Sequence, residues 1–182
     1  SSSRSDLGVR FDPTGERLSL VDETGRPFSH GRALLVMLDL VAAERRGGVV
    51  ALPAHTTRVA EDVTNYHGVA VEWAGTSTAS LSRTAQRPGL IFAGDGRGGF
   101  IVPEMGPNVD GIAAFVRLVG LVSRTQLTLS AIDRRIPEVF LKTHVLGQRL
   151  IALGLRLSVS LGQSDSTLFP QGLLDPVFAS KL

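Results

Sequence analysis

The sequence predicts an α/β fold, and three observations carry that prediction. Between residues 48 and 136, short apolar runs alternate with segments whose apolar residues recur at three- and four-residue spacing. Gly and Pro fall between the runs, where chain reversals need them. Hydrophobic residues make up 43% and charged residues 20%, which suits a chain that buries a core rather than a disordered one.

The elements follow in order. Residues 7–11 (LGVRF) and 18–21 (LSLV) read as short strands, with DPTGE as the reversal between them and DETG as the next turn. From 32 to 46 the period becomes helical, with Leu34, Leu35, Leu38, Val41 and Ala42 on one face. Ser29 or His30 stands near the start of that helix. Arg45 and Arg46 fill its last turn, at the negative end of the dipole, and Gly47-Gly48 stop it. VVALP at 49–53 is a buried-type strand. Residues 56–66 read as a helix with Thr56 as N-cap and Val59, Val63 and Tyr66 on one face, ended by Gly68. A strand at 69–73, a short helix at 80–86 and strands at 90–93 and 100–102 come next. The longest helix spans 110–125 and is expected to turn Ile112, Phe115, Val116, Val119 and Val122 to the core; a short one follows at 130–135. Residues 48–136 thus read β-α-β-α-β-β-α. The tail, 143–182, mixes helical and strand periods and receives no assignment.

Composition excludes several classes. The net charge is +2, Arg and acidic residues alternate along the chain, and aromatics are 5%, so no basic, stacking surface for nucleic acid is expected. With no cysteine there is no disulfide framework or thiol chemistry, which is compatible with a reducing cytoplasm. No apolar run approaches the ~20 residues of a membrane span. The first residues, SSSRSDLG, are polar and lack both a signal-peptide core and an initiating Met, as expected of a fragment or a processed chain.

The richest stretch is GLIFAGDGRGGFIVPE, residues 89–104. Gly94, Gly96 and Gly99 match G-x-G-x-x-G, but a dinucleotide site needs a helix after the last Gly, and here the strand-like FIVP follows. Two readings stay open: a wide turn between strands, or a loop in which Asp95 and Arg97 offer an acceptor and a bidentate donor to a sugar hydroxyl or phosphate. Asp12, Glu16 and Asp22 cluster on turns. Asp12 and Glu16 are either hard oxygen ligands for one cation or turn-forming acids in a solvated hairpin. Thr56, Thr57 and Arg58, at a strand-to-helix junction, are either an anion site or a simple cap. His30, His55, His67 and His144 lack metal-ligand spacing, and there is no G-x-S-x-G elbow.

The order of these pieces resembles the α-D-phosphohexomutase family, the phosphomannomutase/phosphoglucomutase group. FDPTGERLSLVDETGRPF is similar to its metal-loop region, where a D-x-D-x-D-R motif leads into a strand and a V-D-x-x-G turn. GGVVALPAHTTRVAEDVTNYHGVAVEWAGT is similar to the start of its third domain. AGDGRGG stands in the place of the sugar-recognition G-E-x-S-G loop, and NVDGIAAFVRLVGL matches the D-G-I helix after it. The resemblance covers roughly residues 8–142. Its wording is nearest to the mutase-like C-terminal half of actinobacterial two-part proteins named mannose-1-phosphate guanylyltransferases.

The resemblance implies a domain III-like mixed sheet with flanking helices at 48–142, preceded at 1–47 by the C-terminal part of a domain II-like unit. In the family a phosphoserine passes a phosphoryl group between the two ends of a hexose phosphate, with Mg²⁺ held by three aspartates. Carried over, Asp12 stands at the first metal Asp, Thr14 at the second, Glu16 at the third, and Arg17 at the Arg beside metal and phosphate. Gly94, Asp95, Gly96, Arg97 and Gly98 form the sugar-binding loop, with Asp95 in place of the Glu and Arg97 in place of the Ser. Thr14 removes a charge from the metal loop and Pro13 stiffens it, so a degenerate Mg²⁺ site of Asp12 and Glu16 is expected. The family's serine loop and its R-x-S-G-T-E-P phosphate loop are absent from the sequence. The expectation is a phosphohexomutase-like fragment, inactive alone, whose partners are a hexose phosphate and the remainder of a larger chain (domain I, domain IV or a nucleotidyltransferase domain). The alternative is a non-catalytic sugar-phosphate-binding or assembly module of a guanylyltransferase.

Overall fold

The computed structural model describes residues 5–138. Strands β1 (Leu7–Phe11) and β2 (Leu18–Asp22) form an antiparallel hairpin across DPTGE, with Leu7 opposite Asp22 and Phe11 opposite Leu18. Helix α1 (His30–Glu44) begins two residues before the expected position, because Ser29 caps it by accepting the Arg32 N–H at 3.2 Å. Arg45 and Arg46 lie past its last turn. Arg45 pairs with Glu104 at 2.5 Å instead of serving the helix dipole.

The main sheet is built from β3 (Val49–Pro53), β4 (Ala70–Ala74), β5 (Leu90–Gly94) and β6 (Phe100–Ile101). Their order is β4-β3-β5-β6, with β3 parallel to both neighbours and β6 antiparallel to β5. The sheet is therefore mixed, as expected. Between the strands lie α2 (Val59–Tyr66) and α3 (Thr78–Ala85), and after them α4 (Gly111–Thr125) and α5 (Leu129–Asp133). The expected cap Thr56 is displaced: α2 starts at Val59, whose N–H reaches Thr57 Oγ1 at 3.4 Å. Side-chain caps hold three later helices, Ser77 for α3, Asp110 for α4 and Thr128 for α5.

Layering follows from side-chain alternation along the strands. Val50 and Leu52 of β3 join α1, α2 and α4 in the larger core, whereas Ala51, Ala74 and Ala93 face Leu81 and Ala85 of α3. Alanines on that side let α3 lie close to the sheet. Helix α1 is the centre of the larger core. Nine of its residues are buried, including Val36, Met37 and Leu40, which a one-face reading leaves out. A fully buried Leu contributes roughly 1.5–3 kcal/mol, which outweighs the few tenths that Val36 and Val41 cost a helix.

Helix α4 departs from the sequence expectation. Gly111, Ala113, Ala114, Leu118 and Leu121 are its buried residues, while Ile112, Val116 and Val119 are 59%, 54% and 41% exposed. Phe115 and Val122 are half-buried. The helix carries two apolar stripes, 114/118/121 and 112/116/119, offset by two residues or roughly 200° around its axis. Only the first meets α1. Residues 5–138 belong to one compact unit. The expected tail at 143–182, His144 and residues 139–142 lie outside the described residues. Among the described residues no helix is long and apolar enough to cross a membrane.

Candidate functional site

The GDGRGG loop joins β5 to β6, and its geometry is set by Asp95. The residue is buried, 7% exposed. Its Oδ1 accepts the N–H groups of Arg97 at 2.7 Å and Gly99 at 2.9 Å, while the Asp95 N–H donates to Gly99 O at 2.9 Å. A short acidic side chain that caps its own loop in this way organises a turn from within. Two glycines are required by close approach. Gly98 has φ +89°, and a Cβ there would sit 2.8 Å from Leu18 O; a Cβ on Gly99 would sit 2.6 Å from Asp95 Oδ2.

The loop does not stand alone. Arg17, at the end of DPTGER, donates through Nη1 to Asp95 Oδ2 at 2.7 Å and to Arg97 O at 3.0 Å. The Leu18 N–H donates to Gly98 O at 2.9 Å. The N-terminus of α4 completes the junction, for the Gly111 N–H donates to Gly15 O at 2.9 Å. The two loops singled out in the sequence are thus one hydrogen-bonded unit. Within it Asp95 is turned inward to Arg17 and the loop amides, while Arg97 is exposed and its guanidinium has no protein partner among the described residues.

The first of these loops does not fit a divalent cation. Asp12 Oδ1 accepts the Arg17 N–H at 3.0 Å and Oδ2 accepts the Thr14 hydroxyl at 2.9 Å, so both oxygens are engaged inside the turn. The amide of Arg17 above all, and then the Thr14 hydroxyl, holds its carboxyl below the usual carboxylate range, against the opposing effect of burial. Glu16 is exposed. Among the described residues no three His, Cys, Asp or Glu side chains converge as metal ligands. Mg²⁺ requires near-octahedral oxygen ligands, and this donor set does not supply them.

The β3–α2 junction is likewise committed to structure. Arg58 lies over the Trp73 ring, 4.2 Å from its centroid, and pairs with Glu61 at 3.0 Å, while Trp73 Nε1 donates to Glu61 at 2.8 Å. Thr57 is an acceptor for α2 and Thr56 Oγ1 is buried without a partner. Sequence reasoning missed a buried group altogether. Asp133, 6% exposed, is held by Arg26 and Arg32, and Arg32 also donates to the carbonyls of Asp133, Ile136 and Pro137 at 2.6, 2.7 and 2.5 Å. Asp22, beneath Arg26, is held below its ordinary value although burial opposes it, by hydrogen bonds from Thr24 and Arg26. These ties fasten α5 to α1 and to the turn that follows β2. A cavity of about 460 Å³, lined by Leu40, Val63, His67, Leu127 and Ile132 among others, shares no residue with the loop junction.

The chain is 23% identical over 147 residues to a phosphoglucomutase/phosphomannomutase of Thermococcus kodakarensis, covering 79% of this chain and 32% of that one. It is 24% identical over 147 residues to the phosphoglucosamine mutase of Rhizobium meliloti, covering 78% of this chain and 33% of the relative. The α-D-phosphohexomutase superfamily is supported. In structure the chain is similar to a phosphoglucomutase/phosphomannomutase family protein from Burkholderia thailandensis, with a TM-score of 0.65, 20% identity, and coverage of 76% of this chain and 30% of that one. An N-acetylglucosamine-phosphate mutase of the same superfamily aligns with a TM-score of 0.51 at 14% identity, over 72% of this chain and 34% of its own. The fold is that of phosphohexomutase domains. No family model matches the chain. The chain spans about a third of the length of the curated relatives it matches.

Proposed function

We propose that this chain is the hexose-phosphate-recognition part of a phosphohexomutase-type protein, with residues 1–47 derived from the end of a second domain and 48–142 from a third. The observation that carries the reading is the junction of DPTGER with GDGRGG, which leaves Arg97 as a guanidinium without a partner among the described residues, on a loop tied down by Asp95 and Arg17. A planar guanidinium is suited to bidentate contact with a phosphate or a pair of sugar oxygens. Support for a hexose phosphate comes from the names of the relatives, which are hexose-phosphate and hexosamine-phosphate mutases. In this reading Asp95 positions the loop and Gly96, Arg97 and Gly98 meet the ligand. The chain alone does not transfer a phosphoryl group, since neither the serine loop nor the phosphate loop is in the sequence. A cytoplasmic location belongs to the same proposal.

The test is a titration with mannose 1-phosphate and glucosamine 1-phosphate, followed through the backbone amide resonances. Shifts confined to residues 94–99, abolished in Arg97→Ala, are expected. Unmoved amides at millimolar ligand would end the sugar-phosphate reading. A second reading is favoured by the closed Asp12 turn: a non-catalytic module of a mannose-1-phosphate guanylyltransferase. Mg²⁺-dependent isomerisation of hexose phosphates by the full parent protein, lost on Asp12→Ala, would exclude that module.

A further inference from the structure

The cavity of about 460 Å³ among α1, α2 and α5 combines an apolar floor with charges of both signs. Leu40 of α1, Val63 of α2, Ile132 of α5 and Ile136 are buried beneath it. Its charged groups come from different elements. Helices α1 and α2 contribute the carboxylates of Asp39 and Asp62, and the residues after α5 contribute the Arg135 guanidinium. Asp39 is already engaged, since its Oδ1 lies 2.9 Å from Nε2 of His67. A carboxylate only accepts, so His67 donates there and ties the end of α2 to α1. Asp62 and Arg135 are exposed, and neither forms an ion pair among the described residues.

An aromatic ring stands beside the acid. Asp62 and Tyr66 are four residues apart on α2 and therefore share a face. Tyr66 is 86% exposed yet lines the cavity, with its ring edge-on to His67 at a centroid distance of 5.0 Å. A carboxylate next to an exposed aromatic ring suits an ammonium group, which takes charge from the first and a cation–π surface from the second. A guanidinium suits a carboxylate. The volume falls in the range of small-molecule sites, where an apolar lining supplies burial and a few polar groups fix orientation.

We propose that this cavity binds a small zwitterion with an apolar body, an α-amino acid with an aromatic or large aliphatic side chain. Its ammonium meets Asp62 and Tyr66, its carboxylate meets Arg135, and its side chain lies on Leu40, Val63 and Ile132. A simple organic cation would leave Arg135 unanswered, and a simple anion would face Asp62. The cavity shares no residue with the Asp95–Arg17 junction, so the proposal stands apart from the sugar-phosphate reading.

The test uses probes of one shape and different charge: L-phenylalanine, phenethylamine, which lacks the carboxylate, and phenylpropionate, which lacks the ammonium. Each is titrated into residues 1–182 and followed through the backbone amide resonances. L-phenylalanine is expected to shift the amides of residues 39–43, 62–67 and 132–136, and to bind at least about tenfold more tightly than either analogue. Asp62→Asn should weaken L-phenylalanine and phenethylamine but not phenylpropionate; Arg135→Gln should weaken L-phenylalanine and phenylpropionate but not phenethylamine. Both side chains are exposed, so these variants are expected to fold. Ala43→Phe, at an exposed position on the cavity wall, should abolish the binding of all three by filling the space. Unmoved amides at millimolar L-phenylalanine overturn the proposal. Equal or tighter binding of phenethylamine overturns it in favour of a cation site, and equal or tighter binding of phenylpropionate in favour of an anion site. Binding that survives Ala43→Phe, or shifts confined to residues 94–99, also overturns it.

Discussion

Helix α4 touches two surfaces of opposite character. At its N-terminus Gly111 docks on Gly15 O and joins the loop junction, where Asp95, Arg17 and Asp12 are engaged by neighbours inside the chain. From Ile112 onward the same helix shows an apolar stripe to solvent. The junction is polar and closed; the stripe is apolar and open. Hydrogen bonds are short-range and directional, so a loop unit is completed with few atoms. Burial of an apolar stripe requires a second surface of comparable area. Among the described residues the polar junction is therefore closed while the outer stripe of α4 stays bare.

The largest effect is expected from the junction backbone. Gly98→Ala must place a Cβ on a residue at φ +89° and 2.8 Å from Leu18 O, the carbonyl oxygen of the residue whose N–H donates to Gly98 O. Left-handed strain together with the clash is expected to cost about 3 kcal/mol. Thermal unfolding followed by circular dichroism reads it, and an unchanged midpoint would mean that the loop is not tied to the hairpin. Asp95→Ala comes next, at about 2 kcal/mol, because two amides and Arg17 lose their acceptor. The ion-pair share is kept small because the Arg17 side chain is 35% exposed. Asp95→Asn should recover roughly half of the loss, as its carbonyl still accepts both amides.

A graded effect is expected from acid. The folded-state carboxyl of Asp22 is depressed, so its contribution is complete above its unfolded value near 3.8 and is lost as pH falls below that. Unfolding midpoints measured between about pH 5 and pH 2.5 should fall less steeply in Asp22→Asn than in the parent. Parallel slopes would remove Asp22 from the account. On the other side of the comparison, Val116→Ser should change the stability of residues 1–182 by about 0.5 kcal/mol or less, since the side chain is 54% exposed. A loss of several kcal/mol would show the stripe to be covered already.

The same contrast governs what could be read before the structure. Strands such as 49–53 and 90–93 were legible because a buried parallel strand must be a continuous apolar run bounded by turns. The facing of α4 was not, because its two stripes have the same spacing and only the position of α1 decides between them. Ser29 and Thr56 carry the same capping chemistry, yet only Ser29 caps, since the path of the chain after β3 delays α2 to Val59. Asp95 stands out from its glycine loop and Arg17 through the family resemblance, but they lie 78 residues apart and nothing local announces their ion pair. Asp133 and its arginines, more than 100 residues distant, left no signal at all.

The smallest expected effect is also the sharpest test of the closed junction. If the Asp12 turn held Mg²⁺ with a dissociation constant near 10 μM, about 1 mM of the ion would stabilise the chain by roughly 2.7 kcal/mol. Asp12 Oδ1 and Oδ2 already accept from Arg17 and Thr14, and no further acidic or His side chains among the described residues converge on the turn, so a cation would meet a single hydrogen-bonded carboxylate. The unfolding midpoint is therefore expected to be the same in Mg²⁺ and in a chelator, and Mn²⁺ should not selectively broaden the amides of residues 12–17. Thr14→Asp separates the alternatives further. It removes the hydroxyl that occupies Oδ2 and adds a carboxylate, so it should introduce Mn²⁺ broadening where the parent has none. Broadening in the parent itself would show that the turn opens readily, and the contrast between a finished junction and an unfinished helix face would no longer hold.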